Sequence, residues 1–302
     1  MYDIIVVGGG PAGLTAAIYG LRAGKNVLVV EKSGFGGQIA FSPKVENIPG
    51  FQVISGAEFA DKLTEQAMAL GAEVELEKVV GLEKKDGVFS VHTEEGSTFE
   101  GKSVILALGV KHRTLGLPGE EELIGNGISF CAVCDGAFYT GQEVAMIGGG
   151  NSALQEALLL SEVCTKVTVV QNLAGFTGEK KLADALMEKE NVTAIFNTVV
   201  SGYKTENGAL CGLQLHNDVT GEETEISVDG AFLAVGLMPE NEPFAQYAQL
   251  NDWGYFDSGE DCCTATEGIF VAGDCRSKRI RQVVTAAGDG AIAAMAACRY
   301  LD

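Results

Sequence analysis

The sequence predicts an α/β protein built from two similar three-layer units, with the second unit inserted into the first. Two segments, IIVVGGGPAGL (Ile4 to Leu14) and VAMIGGGNSAL (Val144 to Leu154), each run an apolar strand into a glycine turn and then a helix. Each segment is followed by a second apolar run and later by a buried strand, VILALG in one copy and FLAVG in the other. The chain then continues with GIFVAGDC and an Ala-rich helix, and it does not begin a third copy.

The elements between these landmarks follow the same order in both copies. The first copy has the amphipathic helix GAEFADKLTEQAMALG, the short strands VELEKVV, VFSVHTEEG and STFEG, and a buried strand that closes at Gly109. The second copy has the helix KKLADALMEKE, the strands TAIFNTVVSGY, LCGLQLHND and EETEISV, and a buried strand that closes at Gly236. We expect the tail, with the helix VVTAAGDGAIAAMAACRYL, to complete the first copy, because the sheet of that copy would otherwise stay exposed.

Pro and Gly interrupt the apolar pattern at two places, which predicts two short linkers. Residues 1–116 and 242–302 then form the first domain, and residues 117–241 form the inserted one. An insertion through two linkers permits one domain to rotate against the other.

Composition excludes several classes of protein. The longest apolar runs are too short to cross a bilayer, and the N-terminus begins on a strand without a basic segment, so we expect a cytoplasmic protein without a signal peptide. The net charge of −20 argues against nucleic acid as a partner. One segment is basic nonetheless, since it holds Arg276, Lys278, Arg279 and Arg281.

The first glycine turn has the spacing of a dinucleotide-binding site. Gly8 allows the tight turn, Gly10 lets the backbone approach a pyrophosphate, and Gly13 lets the helix pack against the strand. The helix N-terminus, with Pro11 and Ala12, then faces the phosphates. Glu31 follows Gly8 by 23 residues and ends the strand VLVV, where an acidic residue accepts hydrogen bonds from a ribose hydroxyl.

The second glycine turn has an uncharged amide, Gln171, at the same spacing from Gly148. The second copy is therefore predicted to keep the scaffold without the groups that read a cofactor. A purely structural role in packing helix against strand is favoured for this turn, and binding of a nucleotide is the alternative.

The segment CAVCD places Cys131 and Cys134 in a Cys-x-x-Cys pair beside Asp135. Such pairs switch between dithiol and disulfide. Half of a zinc site is one alternative, although the chain has no second such pair and only three scattered histidines; an inert pair is another. Asp135 is a candidate for the proton transfer that disulfide reduction requires, with helix capping as the alternative.

The whole chain resembles the low-molecular-weight thioredoxin reductase family. The matching pieces are GGGPAG, GGQI, ENIPG, CAVCDGAFY, GGGNSA, GIFVAGD and RQVVTAAGDG, in the order of the family. The resemblance implies FAD in the first domain, a redox pair on the inserted domain, thioredoxin as substrate and a homodimer. It also implies that Cys134 lies nearer the flavin, that Cys131 exchanges with the substrate disulfide and that Asp135 is the acid. The cofactor-binding residues that it implies, together with those of the glycine turn, are Gly8, Gly10, Pro11, Ala12, Gly13, Glu31, Gly37, Gln38, Asn47, Gly109, Gly273, Asp274, Arg281, Gln282 and Val283.

The inserted domain departs from the NADPH-using members of this family, which carry a His-Arg-Arg-x-x-x-Arg run after the second strand. Here the run begins at Gln171, and the three arginine positions hold Asn172, Leu173 and Thr177. The 2′-phosphate of NADPH needs cationic partners. Each lost charged hydrogen bond costs about 1.5–3 kcal/mol of binding free energy. The pattern resembles the ferredoxin-dependent flavin thioredoxin reductases of anaerobic bacteria.

The resulting hypothesis is that reduced ferredoxin supplies FAD, and that electrons pass through Cys131 and Cys134 to thioredoxin. Arg276, Lys278, Arg279 and Arg281 are the candidate docking residues for the acidic ferredoxin. The alternatives are a reductase that uses NADH, a deazaflavin, a second flavin or, weakly, NADPH, and a flavin redox sensor without turnover. A relative of ferredoxin–NADP reductase would have no use for the cysteine pair.

Overall fold

The computed structural model describes residues 1–42 and 45–302 of the chain. These residues form two compact units: the first contains residues 1–111 and 238–302, and the second contains residues 112–237. The chain thus leaves the first unit five residues before the predicted boundary at 116 and re-enters it four residues before the predicted boundary at 241.

Seventeen strands and seven α-helices are found in the described part of the chain. The strands are β1 (Tyr2–Val7), β2 (Val27–Glu31), β3 (Glu73–Leu76), β4 (Val79–Lys85), β5 (Val88–Thr93), β6 (Thr98–Leu106), β7 (Lys111–His112), β8 (Ile128–Ser129), β9 (Glu143–Ile147), β10 (Lys166–Val170), β11 (Val192–Ile195), β12 (Thr198–Glu206), β13 (Ala209–Asn217), β14 (Glu223–Ser227), β15 (Gly230–Leu233), β16 (Leu237–Met238) and β17 (Ile269–Val271). The helices are α1 (Pro11–Arg22), α2 (Gly56–Ala69), α3 (Glu120–Leu123), α4 (Ala132–Asp135), α5 (Asn151–Ser161), α6 (Lys180–Met187) and α7 (Val283–Leu301).

The first unit is organised by one sheet in the order β3-β2-β1-β6-β5-β4, with β17 also paired to β6. Its apolar strands β1, β2, β6 and β17 run parallel, while β5 lies antiparallel to β6. The segments STFEG and VILAL, which the sequence analysis treats as separate strands, form the single strand β6. The polar first half of β6 pairs with β5, and its apolar second half lies between β1 and β17.

The second unit repeats this plan with a parallel sheet in the order β11-β10-β9-β15-β8 and a separate three-stranded sheet, β12-β13-β14. The predicted fold class, two dinucleotide-binding units of α/β type, is confirmed. The single strands predicted over VELEKVV and TAIFNTVVSGY are wrong, because each segment divides into two strands. VELEKVV divides between β3 and β4 of the same sheet, and TAIFNTVVSGY divides between β11 and β12 of two different sheets. In the second copy the division falls at Asn197, whose φ of 53° turns the chain.

Helix α7 covers the first unit and follows the predicted helix residue by residue. Its small buried residues Ala286, Ala293 and Ala297 belong to the same core as Ala12 and Ala16 of α1. Small side chains let the two helices approach closely, so the tail completes the first copy as predicted. Among the described residues, no helix combines the length and the apolar character that crossing a bilayer requires.

Two glycines of α7 give a matched test of this packing. A Cβ atom on Gly290 would overlap the carbonyl oxygen of Ala12, whereas a Cβ atom on Gly288 would meet nothing within 4 Å. We expect Gly290→Ala to lower the free energy of unfolding by about 1–3 kcal/mol through overpacking. Gly288→Ala should raise it by about 0.5–1 kcal/mol, because alanine is the better helix former. Denaturant unfolding of both variants checks the pair, and equal effects would contradict the close approach of α1 and α7.

Candidate active site

The first glycine turn connects β1 to α1 and leaves its helix N-terminus open. Gly8 has φ of 110°, which favours glycine, and a Cβ atom on Gly13 would overlap the Gly8 carbonyl oxygen. Gly10 is the N-cap of α1 and provides no side chain to cap it, and Pro11 and Ala12 begin the helix. The first N–H groups of α1 are therefore available to an anion such as a pyrophosphate.

Glu31 ends β2 beside this turn and is buried. Its Oε2 atom accepts a hydrogen bond from the Gly9 N–H at 2.6 Å, and its Oε1 atom accepts one from the Ser33 N–H at 3.0 Å. These bonds fix the carboxylate next to the glycine turn, at the end of the second parallel strand. That is where a ribose hydroxyl lies in a dinucleotide-binding fold.

The loop after β2 returns to the glycine turn. Gly37 has φ of 62°, and a Cβ atom on it would lie 3.3 Å from the Cα atom of Gly10. The side chain of Gln38 donates to the carbonyl oxygen of Val110, close to Gly109 in sequence. The predicted residues Gly10, Gly37, Gln38 and Gly109 are therefore brought to one region of the first unit.

The tail contributes the remaining predicted residues. A Cβ atom on Gly273 would lie 2.8 Å from the Cβ atom of Ala12, so the segment after β17 approaches the start of α1. The Asn47 Nδ2 atom donates to the Gln282 Oε1 atom at 3.1 Å, immediately before Val283 begins α7. The Arg281 Nε atom donates to the carbonyl oxygen of Asp274 at 3.2 Å.

Asp274 has a buried polar atom that the protein leaves unpaired. Its Oδ1 atom has no hydrogen-bond partner among the described residues, and Lys278 Nζ lies 4.0 Å away. Burial raises the pKa of Asp274 to about 6, against the opposing charges of Lys278 and Arg281. A buried acceptor of this kind needs a donor, which a ligand hydroxyl would supply. Together with the open helix N-terminus and Glu31, it makes the first unit fit FAD.

Cys131 and Cys134 form a disulfide at the start of α4. Cys131 is the N-cap residue, and its Sγ atom accepts from the Cys134 N–H at 3.2 Å. No group of three possible metal ligands occurs among residues 1–42 and 45–302, so the zinc interpretation gains no support. Burial raises the pKa of three other thiols, to about 11 for Cys164 and Cys275 and to about 12 for Cys262, which makes them poor nucleophiles.

Asp135 is held by a residue that the sequence analysis missed. The Ser129 hydroxyl donates to the Asp135 Oδ2 atom at 2.6 Å and accepts from the Cys131 N–H at 3.2 Å. The Oδ1 atom is buried and has no hydrogen-bond partner in the described part of the chain, and the side chain caps no helix. Burial raises the pKa of Asp135, which favours the protonated acid. Only the fold reveals Ser129, since a serine on a short strand has no sequence signature.

Removal of the Ser129 hydroxyl should shift the pH dependence of disulfide reduction. The Ser129 hydrogen bond favours the charged carboxylate and so opposes the effect of burial on the pKa of Asp135. Ser129→Ala should raise that pKa, so that the acid stays protonated to higher pH and the alkaline limb of kcat/KM for the disulfide substrate moves upward. Thr140→Ala, which removes a nearby hydroxyl that donates to the Ala137 carbonyl oxygen, is the control. If the alkaline limb of kcat/KM does not move in Ser129→Ala, Asp135 is not the acid in disulfide reduction.

The second glycine turn is closed by its own loop. Gln171 is buried, and its Nε2 atom donates to the Gly175 carbonyl oxygen at 3.3 Å. The Gly149 carbonyl oxygen accepts from the N–H groups of Thr177 and Gly178 at 2.8 and 3.0 Å. Gln171, which takes the position of Glu31 in the second copy, thus bonds to its own loop. Glu31 instead bonds to the glycine turn of the first copy.

The arginine positions of the second unit are exposed and uncharged. Asn172, Leu173 and Thr177 all lie at the surface. Lys180 is the first cation after the loop, and its Nζ atom is paired with the Asp184 carboxylate at 2.6 Å. The loop therefore presents no cation to a phosphate group.

The basic segment is not the docking surface that the sequence analysis predicts. Arg276 is buried and pairs with Asp289 of α7 at 3.2 Å, and Lys278 Nζ lies 2.8 Å from the same carboxylate. Arg281 stacks over the Tyr255 ring at 4.2 Å. Only Arg279 is exposed among the four. The predicted surface is wrong because α7 supplies a buried acid that the local sequence does not reveal.

Comparison with known proteins identifies the family. The family described as pyridine nucleotide-disulphide oxidoreductase matches residues 2–290. The chain is 40% identical to the thioredoxin reductase of Bacillus subtilis over 306 residues, covering 100% of this chain and 95% of that protein. It is 39% identical to the thioredoxin reductase of Treponema pallidum, covering 100% and 97%. The crystal structure of thioredoxin reductase from Streptococcus pyogenes superposes with a TM-score of 0.90 at 36% identity, covering 100% of this chain and 98% of that one. The chain therefore belongs to the pyridine nucleotide-disulphide oxidoreductases and, among them, to the low-molecular-weight thioredoxin reductase family.

Proposed function

We propose that this protein reduces the disulfide of thioredoxin with electrons that reduced ferredoxin delivers to its FAD. The choice of ferredoxin over NADPH rests on one observation. The loop of residues 171–177 holds no cation where the 2′-phosphate of NADPH would lie. The protein carries FAD, as thioredoxin reductases do. FAD, once bound, accepts electrons singly and releases them in pairs, which connects a one-electron donor to a two-electron disulfide.

The first unit supplies the groups that would hold FAD. The open N-terminus of α1 would bind the pyrophosphate, and Glu31 would accept from the ribose. The unpaired Asp274 Oδ1 atom would accept from a hydroxyl of the cofactor, and the joined Asn47 and Gln282 side chains would lie near the flavin.

The second unit supplies the disulfide chemistry. Two electrons and two protons convert the Cys131–Cys134 disulfide to two thiols. Asp135, with its unpaired buried Oδ1 atom, is placed on the same short helix to hold one of those protons. The Cys131 thiol then loses its proton, and its thiolate attacks the thioredoxin disulfide to form a mixed disulfide. The Cys134 sulfur, after losing its proton, attacks Cys131, which restores the starting bond and releases thioredoxin as a dithiol that has taken up two protons. The assignment of Cys131 to the substrate and Cys134 to the flavin follows the family resemblance.

The donor proposal depends on binding free energy at the second glycine turn. Each charged hydrogen bond to a phosphate contributes about 1.5–3 kcal/mol, and three are missing. A tenfold change in affinity corresponds to about 1.4 kcal/mol. The loss is therefore on the order of a thousandfold or more for NADPH. NADH is not favoured instead, because Gln171 has no carboxylate and its amide bonds within the loop.

Two of the three surviving glycines of the second turn, Gly148 and Gly149, do not require a nucleotide. A Cβ atom on Gly148 would lie 2.6 Å from the Ala234 carbonyl oxygen, and one on Gly149 would lie 2.6 Å from the Gln171 amide. Packing alone therefore explains both glycines, which supports the structural interpretation of this turn. A redox sensor without turnover is disfavoured, because the Ser129–Asp135 pair beside the disulfide is an arrangement for proton transfer.

The ferredoxin proposal does not depend on the basic segment. Arg276 and Lys278 form ion pairs with Asp289 within the first unit. The docking surface for ferredoxin therefore lies elsewhere. We also infer a homodimer from the family resemblance, and light scattering of the purified protein measures that state directly.

Turnover with defined donors tests the proposal. The protein, thioredoxin and either reduced ferredoxin, NADPH or NADH are mixed without oxygen, and thioredoxin thiols are counted over time. Ferredoxin should support sustained reduction at a rate proportional to the protein concentration. Comparable turnover with micromolar NADPH or NADH would overturn the choice of donor, and failure of every donor with thioredoxin would overturn the reductase function.

A further inference from the structure

Glu156 of α5 holds the start of the helix that carries the disulfide. Its Oε2 atom accepts from the Ala132 N–H at 3.1 Å, and Ala132 is the residue directly after Cys131. Helices α4 and α5 are in contact, and Gly136 also packs here, since a Cβ atom on it would lie 3.2 Å from the Leu160 side chain. The carboxylate is thus fixed beside the first turn of α4.

The same turn would stabilise a thiolate on Cys131. A backbone N–H that donates to a sulfur favours its negative charge, which lowers the pKa of the thiol. In this protein the Cys134 N–H already bonds to the Cys131 Sγ atom, and the Ala132 N–H bonds to Glu156. Glu156 therefore occupies one of these donors and places a negative charge at the backbone of the residue that follows Cys131.

We propose that Glu156 is a positioning residue that makes the reduced Cys131–Cys134 pair a stronger reductant. Its carboxylate fixes the first turn of α4 and, when ionised, disfavours the thiolate form of the pair. Destabilising the reduced form makes the reduction potential more negative, which is the opposite of the oxidising pairs whose thiolate is stabilised. The proposal rests on the dithiol chemistry inferred above and does not depend on the electron donor.

The charge of Glu156 changes in the physiological pH range. Burial raises the pKa of Glu156 to about 7, although the Ala132 N–H opposes the shift. The carboxylate is thus charged above about pH 7 and neutral below it. Asp135 and Tyr139 are the other titratable groups with raised pKa values beside α4. On the elements packed against α5, the charged groups pair with each other or lie exposed: Lys166 with Glu143, Lys180 with Asp184, and Glu179 and Lys181 at the surface.

The test measures the thiol–disulfide equilibrium of the FAD-loaded protein in glutathione buffers between pH 6 and pH 8.5. Alkylation and mass spectrometry then give the dithiol fraction. Glu156→Gln keeps an acceptor for the Ala132 N–H but removes the charge. At pH 8 it should shift the equilibrium about tenfold toward the dithiol, or about 30 mV less negative. At pH 6 the variant and the parent protein should agree, because Glu156 is then protonated.

Two further variants separate the charge effect from a structural one. Glu188→Gln removes an exposed carboxylate at the end of α6 in the same unit and should change nothing. Glu156→Asp keeps the charge and should keep the pH dependence of the parent protein. Equal potentials for Glu156→Gln and the parent at pH 8, or a difference that is constant from pH 6 to pH 8.5, would overturn the proposal.

The parent protein provides a test that needs no variant. If Glu156→Gln does not fold, the alkylation rate of the reduced pair is followed against pH in the unaltered protein. The rate profile should show an inflection near pH 7 besides the thiol ionisation, and a single ionisation would overturn the proposal. Because glutathione replaces the natural donor, a failure here is distinct from a failure of the ferredoxin proposal.

Discussion

Replacing Asn172, Leu173 and Thr177 together by arginine is expected to increase the affinity for NADPH by about a thousandfold or more. Each guanidinium would provide a charged hydrogen bond of about 1.5–3 kcal/mol to the 2′-phosphate. The three positions are exposed, so the substitutions need not disturb the core. The measurement is the dissociation constant from NADPH titration, followed by the rate of flavin reduction under anaerobic conditions.

Matched variants identify the cause of any gain. Lysine at the same three positions restores the charge without the paired N–H groups and should recover only part of the affinity. Glutamine at these positions restores hydrogen-bonding capacity without charge and should recover almost none. If the arginine variant binds NADPH no better than the parent protein, the missing cations are not what excludes that donor.

Replacing Cys134 by serine is expected to reduce thioredoxin reduction by at least about a thousandfold while leaving electron transfer from ferredoxin to the flavin intact. Serine cannot form or exchange a disulfide, so the relay between the first unit and thioredoxin is lost. Cys131→Ser should have the same effect on turnover. Thioredoxin thiols report the turnover, and flavin absorbance reports the first electron transfer.

The control for this prediction is another thiol of the second unit. Cys211 is partly exposed and free, and Cys211→Ser should leave both readouts unchanged. A flavoprotein related to ferredoxin–NADP reductase would keep its activity without either active-site cysteine. Full activity of the double Cys131→Ser, Cys134→Ser variant would therefore replace the present proposal with that one.

The features that could be predicted from the sequence are those that neighbouring residues determine. The glycine turns, the disulfide and helix α7 depend on local spacing, and the structure shows each where the sequence indicates it. The division of TAIFNTVVSGY between two sheets depends on β10 as a pairing partner for β11, which no local pattern contains.

The ion pairs of the basic segment and the polar contacts around the disulfide could not be predicted, because no local sequence pattern identifies the partners. The basic residues after β17 have the composition of a surface cluster, but Arg276 and Lys278 both pair with the buried Asp289 of α7. Ser129 is close to Cys131 and Asp135 in sequence, but no local pattern identifies its hydroxyl as their partner. Glu156 comes to the start of α4 from a different helix. Contacts of this kind exist only once the tertiary fold brings the elements together.

The most direct measurement is anaerobic stopped-flow recording of flavin absorbance after the oxidised protein is mixed with either photoreduced ferredoxin or NADPH. Ferredoxin should bleach the flavin within seconds at micromolar concentration, while NADPH at the same concentration should leave the spectrum unchanged. Rapid bleaching by NADPH, or none by ferredoxin, would contradict the claim that the protein, whose loop of residues 171–177 is uncharged, uses ferredoxin and not NADPH as its electron donor.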